Sequence, residues 1–553
     1  MAHHAPRVAR TEADVEATMR DGTVLRADLY RPAGAGPWPV LLARTPYGKR
    51  DPGVLARLDP WAAAGRGFLV VVQDCRGRFR SGGRWRPMVH EGEDGFDSVQ
   101  WAAGLPGADG RVGLYGPSYL GHTQWAAIAA QPPALRAAVP ELTWWDPRDG
   151  LIARGGAHEL GLVTHWTLTL GQNVLERRYG NRPTERARRL ADLETALTDL
   201  VSDTYWELPA DRLPSLHRLA LPLPEATRPS VPERLPPVLV VAGWFDCFLQ
   251  GSLDGYAAAE RAGAPAALIV GPWSHTDLSG RLGDADFGPA ADATGRLLAR
   301  ELDWLDRHVR AAPPGPTGPP GPEEPSGPSG PPGPEEPTVV VFVMGVNQWR
   351  PLAAWPPQSQ EVAWYLHAGG RLSPRPPAAD VPDTSSDECR CDPDDPVPTH
   401  GGAILMAPQF PAGPLDQRDI ERREDVLVYT GEPLSAPLEV IGRLRVVLAA
   451  EAGAPGSDWV ARLCDVGTDG VSRTVADGIV RTDGSATEHE IDLWSTAHVF
   501  LPGHRIRLQI TASCFPRWDR GSGGVRRVHH DAARPSRLIL PVVPTTEPDG
   551  GGQ

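Results

Sequence analysis

The sequence lacks the features that mark a membrane or secreted protein. No uninterrupted apolar run approaches the roughly 20 residues that a membrane-spanning helix requires. The N-terminal residues have no apolar core before their charges, which argues against a secretory signal. Cysteines are few, since the 553 residues contain six, and these are scattered along the chain, which favours free thiols over a disulfide framework. We therefore expect a cytoplasmic protein.

An excess of basic residues is also absent. Lys plus Arg number 55 against 69 Asp plus Glu, a formal charge of −14. Because the phosphates of nucleic acids favour a basic protein face, this balance argues against a nucleic-acid partner. The metal-binding motifs are incomplete: Leu162 occupies the position where a zinc-protease helix beginning at His158 needs its second histidine, and Cys389 and Cys391 form a lone pair. We expect no metal, no cofactor and no membrane partner.

The chain does contain enough apolar residues for several cores. Hydrophobic residues make up 41% of it, and single cores stop growing at roughly 250–300 residues, so two or three domains are expected. Gly and Pro number 60 each, partly because "GPPGPEEP" occurs twice within 313–337. This composition is typical of a stiff polyproline-like segment, with a broken collagen repeat as the alternative. We predict a disordered linker over 313–338.

Before this linker, short apolar runs alternate with helical patterns. The runs are apolar throughout, as expected of parallel strands covered on both faces. Examples are "FLVVVQD" (68–74), "VGLYG" (112–116), "PVLVVAGW" (237–244) and "AALIVGPW" (266–273). The alternation predicts an α/β domain with an open sheet, built from 1–146 and 237–312. Amphipathic helical patterns at 147–236 predict a helical cap inserted above the carboxyl ends of the strands.

After the linker the pattern changes to strands separated by turn-rich segments. "TVVVFVMG", "LEVIGRLRVVLAA" and "HRIRLQITAS" are examples, and helical patterns are nearly absent. This pattern predicts an all-β sandwich, plausibly a jelly roll, over 339–545 and a flexible tail over 546–553.

The stretch "VGLYGPSYLGHTQWAAIAAQPP" at 112–133 begins as a buried strand and ends as a helix. Ser118 lies at the corner, where Gly116 permits a sharp turn and Gly121 lets the helix approach the sheet. A serine exposed on a strand-to-helix turn is the nucleophile elbow of α/β-hydrolases. The usual second glycine lies two residues after the serine, where this chain has Leu120. A turn serine that caps a helix is the alternative.

A serine nucleophile needs a base, and the base needs an acid that holds its tautomer. In α/β-hydrolases the acid and then the histidine follow the serine in the sequence, each after a later strand. "PVLVVAGWFD" ends on Asp246, and "AALIVGPWSH" ends on His275. The order and the strand ends together predict Ser118 as nucleophile, Asp246 as orienting acid and His275 as base.

Several motifs resemble those of one family of serine hydrolases, the cocaine esterase and X-prolyl dipeptidyl-peptidase-like (CocE/NonD) family. Before the linker they are "RTPYGKR" (44–50), "QDCRGRFRSGG" (73–83), "EGEDGFDSVQWAA" (91–103), "GPSYLG" (116–121), "GWFD" (243–246) and "GPWSH" (271–275). After it they include "MGVNQWR" (344–350) and "RLCDVGTDGVSRTVADGIVR" (462–481). The resemblance implies an α/β-hydrolase fold with an inserted helical cap and a C-terminal jelly roll, and it accounts for the displaced glycine.

The resemblance also implies how the oxyanion of the reaction would be bound. The backbone N–H of Tyr119 would donate one hydrogen bond to it. Tyr47, in "RTPYGKR", matches the tyrosine whose hydroxyl provides the second donor in the family. Family members that act on amino acid esters place acidic residues soon after the acid of the triad. Here Asp246 is followed by "CFLQGS", with no acid before Asp254.

Phe248 therefore suggests an apolar wall around the acyl group. Trp144, Trp145 and Trp166 are candidates for further aromatic surface, with core packing as the alternative for each. We expect an esterase that cleaves small-molecule carboxylic esters with an apolar or aromatic acyl group. An X-Pro dipeptidyl peptidase, an α-amino acid ester hydrolase or acyltransferase, and a carbohydrate-binding protein with an inactive hydrolase domain are the alternatives. The sequence leaves open whether the chain forms a homodimer.

Overall fold

The computed structural model describes residues 8–208, 213–225, 232, 234–310, 338–378 and 386–544. A ten-stranded mixed sheet forms its first domain, in the order β1-β2-β4-β3-β5-β6-β9-β10-β13-β14. Its strands are β1 Val8–Thr18, β2 Val24–Pro32, β3 Trp38–Thr45, β4 Leu69–Asp74, β5 Ala108–Pro117, β6 Leu135–Glu141, β9 Val238–Phe245, β10 Ala266–Ser274, β13 Val339–Val343 and β14 Gln348–Leu352. The central strands from β4 to β13 run parallel.

Helices cover both faces of this sheet, which explains why every residue of β4, β9 and β10 is buried. They are α1 Pro52–Leu58, α2 Pro60–Gly65, α3 Glu91–Ala103, α4 Tyr119–Ala130, α8 Leu249–Arg261 and α9 Leu297–Arg310. A small hairpin, β11 Arg281–Leu282 and β12 Ala285–Asp286, follows β10. None of the helices that the structure describes is long and apolar enough to cross a membrane.

Between β6 and β9 the chain leaves the sheet and forms a mainly helical segment. It contains β7 Ala153–Arg154, β8 Ala157–His158, α5 Leu160–Arg178, α6 Pro183–Thr198, the 3₁₀ turn Thr204–Trp206 and α7 Pro214–Arg218. A cluster of leucines joins α5, α6 and α7 and continues to Tyr119 beneath them. This segment occupies the place in the chain where the sequence predicted a cap.

The second domain is an all-β sandwich with one short helix, α10 Arg418–Glu421. Its strands are β15 Gln360–His367, β16 Arg371–Ser373, β17 Ser386–Cys391, β18 Leu427–Thr430, β19 Leu438–Glu451, β20 Ser457–Val466, β21 Ser472–Thr482, β22 Glu488–Phe500, β23 Arg505–Thr511, β24 Gly524–His529 and β25 Arg537–Val542. They pair in the order β17-β24-β19-β25-β15-β16-β18-β23-β20-β21, with β22 beside β19. The predicted fold class, a hydrolase domain followed by a β-sandwich, is confirmed.

One boundary needs correction. The sequence assigned residues from 339 onward to the sandwich, but β13 pairs in parallel with β10 and continues into β14. The hydrolase sheet therefore extends to Leu352, the last residue of β14. In this position β13 covers an edge of β10 that would otherwise be unpaired. The predicted linker, apart from Thr338, and the predicted tail lie outside the described residues.

Lys49 is the only lysine in the sequence. Its side chain is 2% exposed, and its Nζ lies 2.6 Å from Asp14, 3.2 Å from Asp28 and 3.8 Å from Asp74. These carboxylates belong to β1, β2 and β4. The ion pairs therefore fix the loop after β3, which carries Tyr47, to three strands of the sheet.

Candidate active site

Ser118 lies on a strained turn between β5 and α4. Its φ and ψ are 61° and −127°, a backbone conformation that only a well-supported site holds. Gly116 has a φ of 120°, and a Cβ there would lie 2.8 Å from Leu120. A Cβ on Gly121 would lie 2.7 Å from Thr143, whose Oγ1 donates to the carbonyl of Ser118 at 2.8 Å. The glycines are therefore required by close packing, as a nucleophile elbow demands.

Asp246 and His275 lie at the ends of neighbouring strands, directly beside this turn. His275 Nε2 is 3.0 Å from Ser118 Oγ, and His275 Nδ1 is 2.8 Å from Asp246 Oδ1. Asp246 is fully buried. The structure thus brings together the three residues that strand order predicted, with both contacts at hydrogen-bonding distance.

Tyr47 and Tyr119 place two hydrogen-bond donors next to the same serine. The Tyr47 hydroxyl is 3.4 Å from Ser118 Oγ, and the backbone N–H of Tyr119 points towards that hydroxyl. Burial raises the pKa of Tyr47, so its phenol remains protonated and able to donate at neutral pH. An oxyanion formed at Ser118 would lie within reach of both groups.

The side chain of Tyr119 is held by Glu91, a residue to which the sequence argument gave no role. The Tyr119 hydroxyl donates to Glu91 Oε1 at 2.9 Å, and the backbone N–H of Met88 donates to that hydroxyl at 2.7 Å. Arg44 pairs with Glu91 at 2.9 Å, although burial raises the Glu91 pKa. The signal was the motif "EGEDG", which places Glu91 in the first turn of a helix but leaves its distant partner unknown.

Six aromatic side chains form a continuous series of contacts that begins beside Ser118 and ends beside His275. We call this series the aromatic wall; in order of contact it consists of Tyr47, Trp166, Tyr119, His122, Trp144 and Phe248. Trp166 Nε1 donates to the Tyr47 hydroxyl at 3.3 Å, and Phe248 packs edge-on against His275 with ring centroids 5.2 Å apart. The wall gives Ser118 an extended apolar neighbourhood.

The structure separates the predicted aromatic residues into two groups. Trp144, Trp166 and Phe248 belong to the aromatic wall, whereas Trp145 packs edge-on against Trp125 at 4.9 Å between α4 and α8. Trp145 therefore packs in the core of the hydrolase domain, which is the alternative that the sequence left open for it. Its neighbour Trp144 packs in a different hydrophobic cluster, the one that includes Tyr119 and Phe248. His122 was missed because nothing in a helical sequence marks which histidine will stack on a distant tryptophan.

Comparison with known proteins places the chain in a family. Residues 21–277 match the family model "X-Pro dipeptidyl-peptidase (S15 family)", and 334–539 match "X-Pro dipeptidyl-peptidase C-terminal non-catalytic domain". The sequence is 34% identical to the cocaine esterase of Rhodococcus sp. (strain MB1 Bresler), over 96% of this chain and 98% of the relative. The chain belongs to the cocaine esterase and X-Pro dipeptidyl-peptidase-like family of serine hydrolases.

A further sequence relative and two solved structures also resemble this chain. A putative serine esterase of Mycobacterium bovis is 25% identical over 95% of this chain and 94% of its own. Among solved structures, an α-amino acid ester hydrolase superposes with a TM-score of 0.73 at 24% identity, covering 98% of both chains. A CocE/NonD family hydrolase from Staphylococcus aureus superposes with a TM-score of 0.67 at 17% identity, covering 96% of this chain and 94% of that one. The family predicted from the motifs is confirmed.

Among the residues that the structure describes, one group of side chains has the proximity needed to hold a metal ion: Asp246, Cys247 and His275. Cys247 and His275 both already form hydrogen bonds to the Asp246 carboxylate. Its Oδ1 accepts from Cys247 Sγ at 3.6 Å as well as from His275. Burial raises the pKa of Cys247 well above its usual value, so the thiol keeps its proton. A protonated thiol is a poor ligand and a poor nucleophile, so Cys247 acts here as a small packing residue.

Proposed function

We propose that this chain hydrolyses carboxylic esters with an apolar or aromatic acyl group through an acyl-enzyme on Ser118. The observation that carries the proposal is the unbroken hydrogen-bonded series from Asp246 through His275 to Ser118, next to the Tyr47 hydroxyl. The relationship to an esterase supports the ester as substrate. The aromatic wall beside Ser118 supports the apolar acyl group.

In the acylation step, Ser118 Oγ attacks the carbonyl carbon of the ester while His275 Nε2 takes its proton. Asp246, bonded to Nδ1, fixes the tautomer that leaves Nε2 free to accept and stabilises the imidazolium that forms. Negative charge develops on the carbonyl oxygen and is bound by the Tyr119 N–H and the Tyr47 hydroxyl. The bond to the alkoxy oxygen then breaks, and His275 returns the proton to the leaving alcohol.

Deacylation repeats the chemistry with water. His275 accepts a proton from a water molecule, whose oxygen attacks the acyl carbon and restores the same oxyanion. Collapse of this intermediate releases the carboxylic acid and returns the proton to Ser118 Oγ. Both half-reactions use the same two donors, so loss of either donor should slow both.

The substrate proposal depends on the absence, among the described residues, of a free carboxylate beside the aromatic wall. Glu91 and Asp246 lie there, but they are already paired with Arg44 and His275. A substrate with a free ammonium group would need a carboxylate partner near the acyl site. Asp254, the first acid after Asp246 in the sequence, lies on α8 and accepts from Gln250 at 2.9 Å, with Arg443 at 4.0 Å. It belongs to the contact between α8 and the sandwich, so it does not serve that purpose.

A fluorophosphonate probe tests the nucleophile directly. We expect covalent labelling of the parent, no labelling of Ser118→Ala, and normal labelling of Ser485→Ala, which changes an exposed loop serine. Ester hydrolysis by Ser118→Ala should fall by at least about 10³-fold. An unlabelled parent would favour a binding protein with an inactive hydrolase domain.

A panel of three substrates tests the acyl preference. We expect a benzoyl ester to be hydrolysed with a higher kcat/KM than an amino acid methyl ester or a dipeptidyl-proline anilide. Faster turnover of the amino acid ester or the anilide would instead support an α-amino acid ester hydrolase or an X-Pro dipeptidyl peptidase.

A further inference from the structure

A cleft lies where the hydrolase domain meets the sandwich, away from the active site, and Ser118 does not line it. We call it the junction cleft. Its volume is about 320 Å³, near the lower end of the range of small-molecule sites. Its apolar surface comes from both domains: Phe245 and Phe287 from the hydrolase domain, Met344 from the turn after β13, and Val475 from β21. All four side chains are buried apart from the small surface that they present to the cleft.

Asp465 supplies a permanent negative charge in this cleft. Its two carboxylate oxygens accept from His498 Nε2 at 3.1 Å and from His504 Nδ1 at 2.9 Å. Burial opposes ionisation of Asp465, but the hydrogen bonds and the electrostatic attraction of His498 and His504 outweigh it and lower the Asp465 pKa. The carboxylate therefore stays ionised at neutral pH.

Two further carboxylates, Asp284 and Asp286, line the cleft from the β11–β12 hairpin. Asp284 accepts from the backbone N–H of Asp416 at 2.8 Å and forms no ion pair with a basic side chain of the described residues. Asp286 pairs with Arg281 at 3.0 Å, but both side chains are more than half exposed, so this pair neutralises little charge.

Among the described residues, the lining holds three carboxylates and one guanidinium, that of Arg473, so negative charge is in excess. Arg473 lines the cleft but is paired with Asp469 at 3.2 Å. Thr474, also in the lining, is 2% exposed, and its Oγ1 has no hydrogen-bond partner in the described part of the chain. A buried hydroxyl without a partner is able to form one more hydrogen bond, which a ligand in the cleft would supply.

We propose that the junction cleft binds a small organic cation, an ammonium group on a compact apolar or aromatic body. The ammonium is placed among Asp284, Asp286 and Asp465, and the apolar body against Phe287 and Met344, where an aromatic face also attracts a cation. The cation is organic because a metal ion needs ligand atoms that converge on one point. Within the described ranges, such convergence occurs at Asp246, Cys247 and His275 and not in this cleft.

The cleft touches both chain segments that carry the base and its acid. Phe245 immediately precedes Asp246, and the β11–β12 hairpin follows His275 after a short loop. A ligand there contacts these segments and the sandwich at once. Because it binds only the assembled interface, it should raise the Tm of the whole chain as its concentration rises.

Three compounds of one shape test the proposal on the full chain by calorimetry: 3-phenylpropylammonium, 3-phenylpropanol and 3-phenylpropionate. Ser118 is first blocked with a fluorophosphonate, so that the ester site is occupied. We expect the ammonium compound to bind and raise the Tm, and the alcohol to bind at least tenfold more weakly. Equal binding of the alcohol, or tighter binding of the carboxylate, would overturn the proposal.

A pair of variants locates the binding. The double variant Asp284→Asn, Asp286→Asn should bind the ammonium compound at least tenfold more weakly while its unliganded Tm stays close to that of the parent. Asp419→Asn, which removes an acid that is 84% exposed on α10, is the matched control and should bind as the parent does. Unchanged affinity in the double variant would place the cation elsewhere and refute the site. Binding of Zn²⁺ that displaces the ammonium compound would also refute it, since a metal site would then occupy the cleft.

Discussion

At the scale of single residues, Tyr47 is the side chain whose role is most sharply defined by its surroundings. Its hydroxyl lies between Ser118 Oγ and Trp166 Nε1, at 3.4 and 3.3 Å. Both neighbours are themselves held, Ser118 by the strained turn and Trp166 by α5. The phenol therefore acts as a rigid donor that needs little rearrangement when charge develops.

Tyr47→Phe removes this donor and keeps the ring. We expect kcat for ester hydrolysis to fall by about 10²–10³-fold, with a much smaller change in KM, because the lost hydrogen bond forms mainly in the transition state. Steady-state kinetics on one aryl ester measures both constants.

Tyr365→Phe removes a phenol from the sandwich strand β15 and should leave both constants unchanged. If Tyr47→Phe raised KM and spared kcat, Tyr47 would be a residue that binds the ground state, and the oxyanion would need another donor.

The structure brings together the three residues that local sequence patterns marked as the triad. Ser118, Asp246 and His275 each lie at the end of an apolar run, and parallel strands bring such ends to one edge of the sheet. Glu91 and His122 escaped because their importance comes from contacts with Tyr119 and Trp144 that no local pattern encodes. Trp144 and Trp145 were equal candidates because they are neighbours in the sequence, and only the structure shows that Trp145 packs between α4 and α8.

At the scale of elements, one partly exposed arginine joins a helix, a strand and a second helix. Arg57 on α1 pairs with Glu141 at the end of β6 and, at 2.6 Å, with Glu301 on α9. One positive charge thus faces two buried carboxylates. Burial, and then the neighbouring charge of Glu301, raise the pKa of Glu141 from 4.5 to about 7, although Arg57 opposes this shift.

Glu141→Gln should change how stability depends on pH. In the parent, the folded state binds the Glu141 proton more tightly than the unfolded chain does. This contribution to stability is complete below about pH 4.5 and is lost as the pH rises through 7. The Glu141→Gln variant has no such loss. The difference in free energy of unfolding, variant minus parent, should therefore increase by about 1–3 kcal/mol between pH 5 and pH 8.

Urea unfolding at the two pH values measures the difference. Glu194→Gln, which changes an exposed glutamate on α6, should show no such pH-dependent gain. A parallel pH response of parent and Glu141→Gln would mean that Glu141 is ionised across the whole range.

The elements themselves were predicted well where periodicity is strong, and one was assigned to the wrong sheet. The run "TVVVFVMG" reads as a buried strand in either domain, because an apolar run carries no information about its partner. Pairing of β13 with β10 bridges the proline-rich segment, so the choice depends on a long-range contact. The sandwich order β19-β25-β15 joins strands far apart in sequence for the same reason.

At the scale of the whole molecule, the two domains meet through buried polar contacts. Arg154 is 2% exposed and lies over the ring of Trp494, 3.7 Å from its centroid. Its Nη2 also donates to backbone carbonyls of Asp477 and Asp492. These contacts fix the start of the cap to the sandwich.

Arg154→Met should destabilise the molecule by about 2–4 kcal/mol, because the strand carbonyls lose a donor in a place that water does not reach. It should also lower kcat, since α5, which carries Trp166, follows directly. Calorimetry of the full chain measures the change in Tm.

Arg148→Met, which breaks an exposed pair with Asp146, is the control and should shift the Tm by little. An unchanged Tm for Arg154→Met would mean that the contact between cap and sandwich does not limit stability.

The burial of Lys49 has a practical consequence for chemistry performed on this protein. Because no other residue carries an ε-amine, reagents that acylate lysine meet no accessible side-chain target while the chain is folded. The rate of Lys49 acylation would then report how often the β1–β2–β4 region opens. Lys49 is therefore a natural chemical probe of unfolding, and no engineered label is needed.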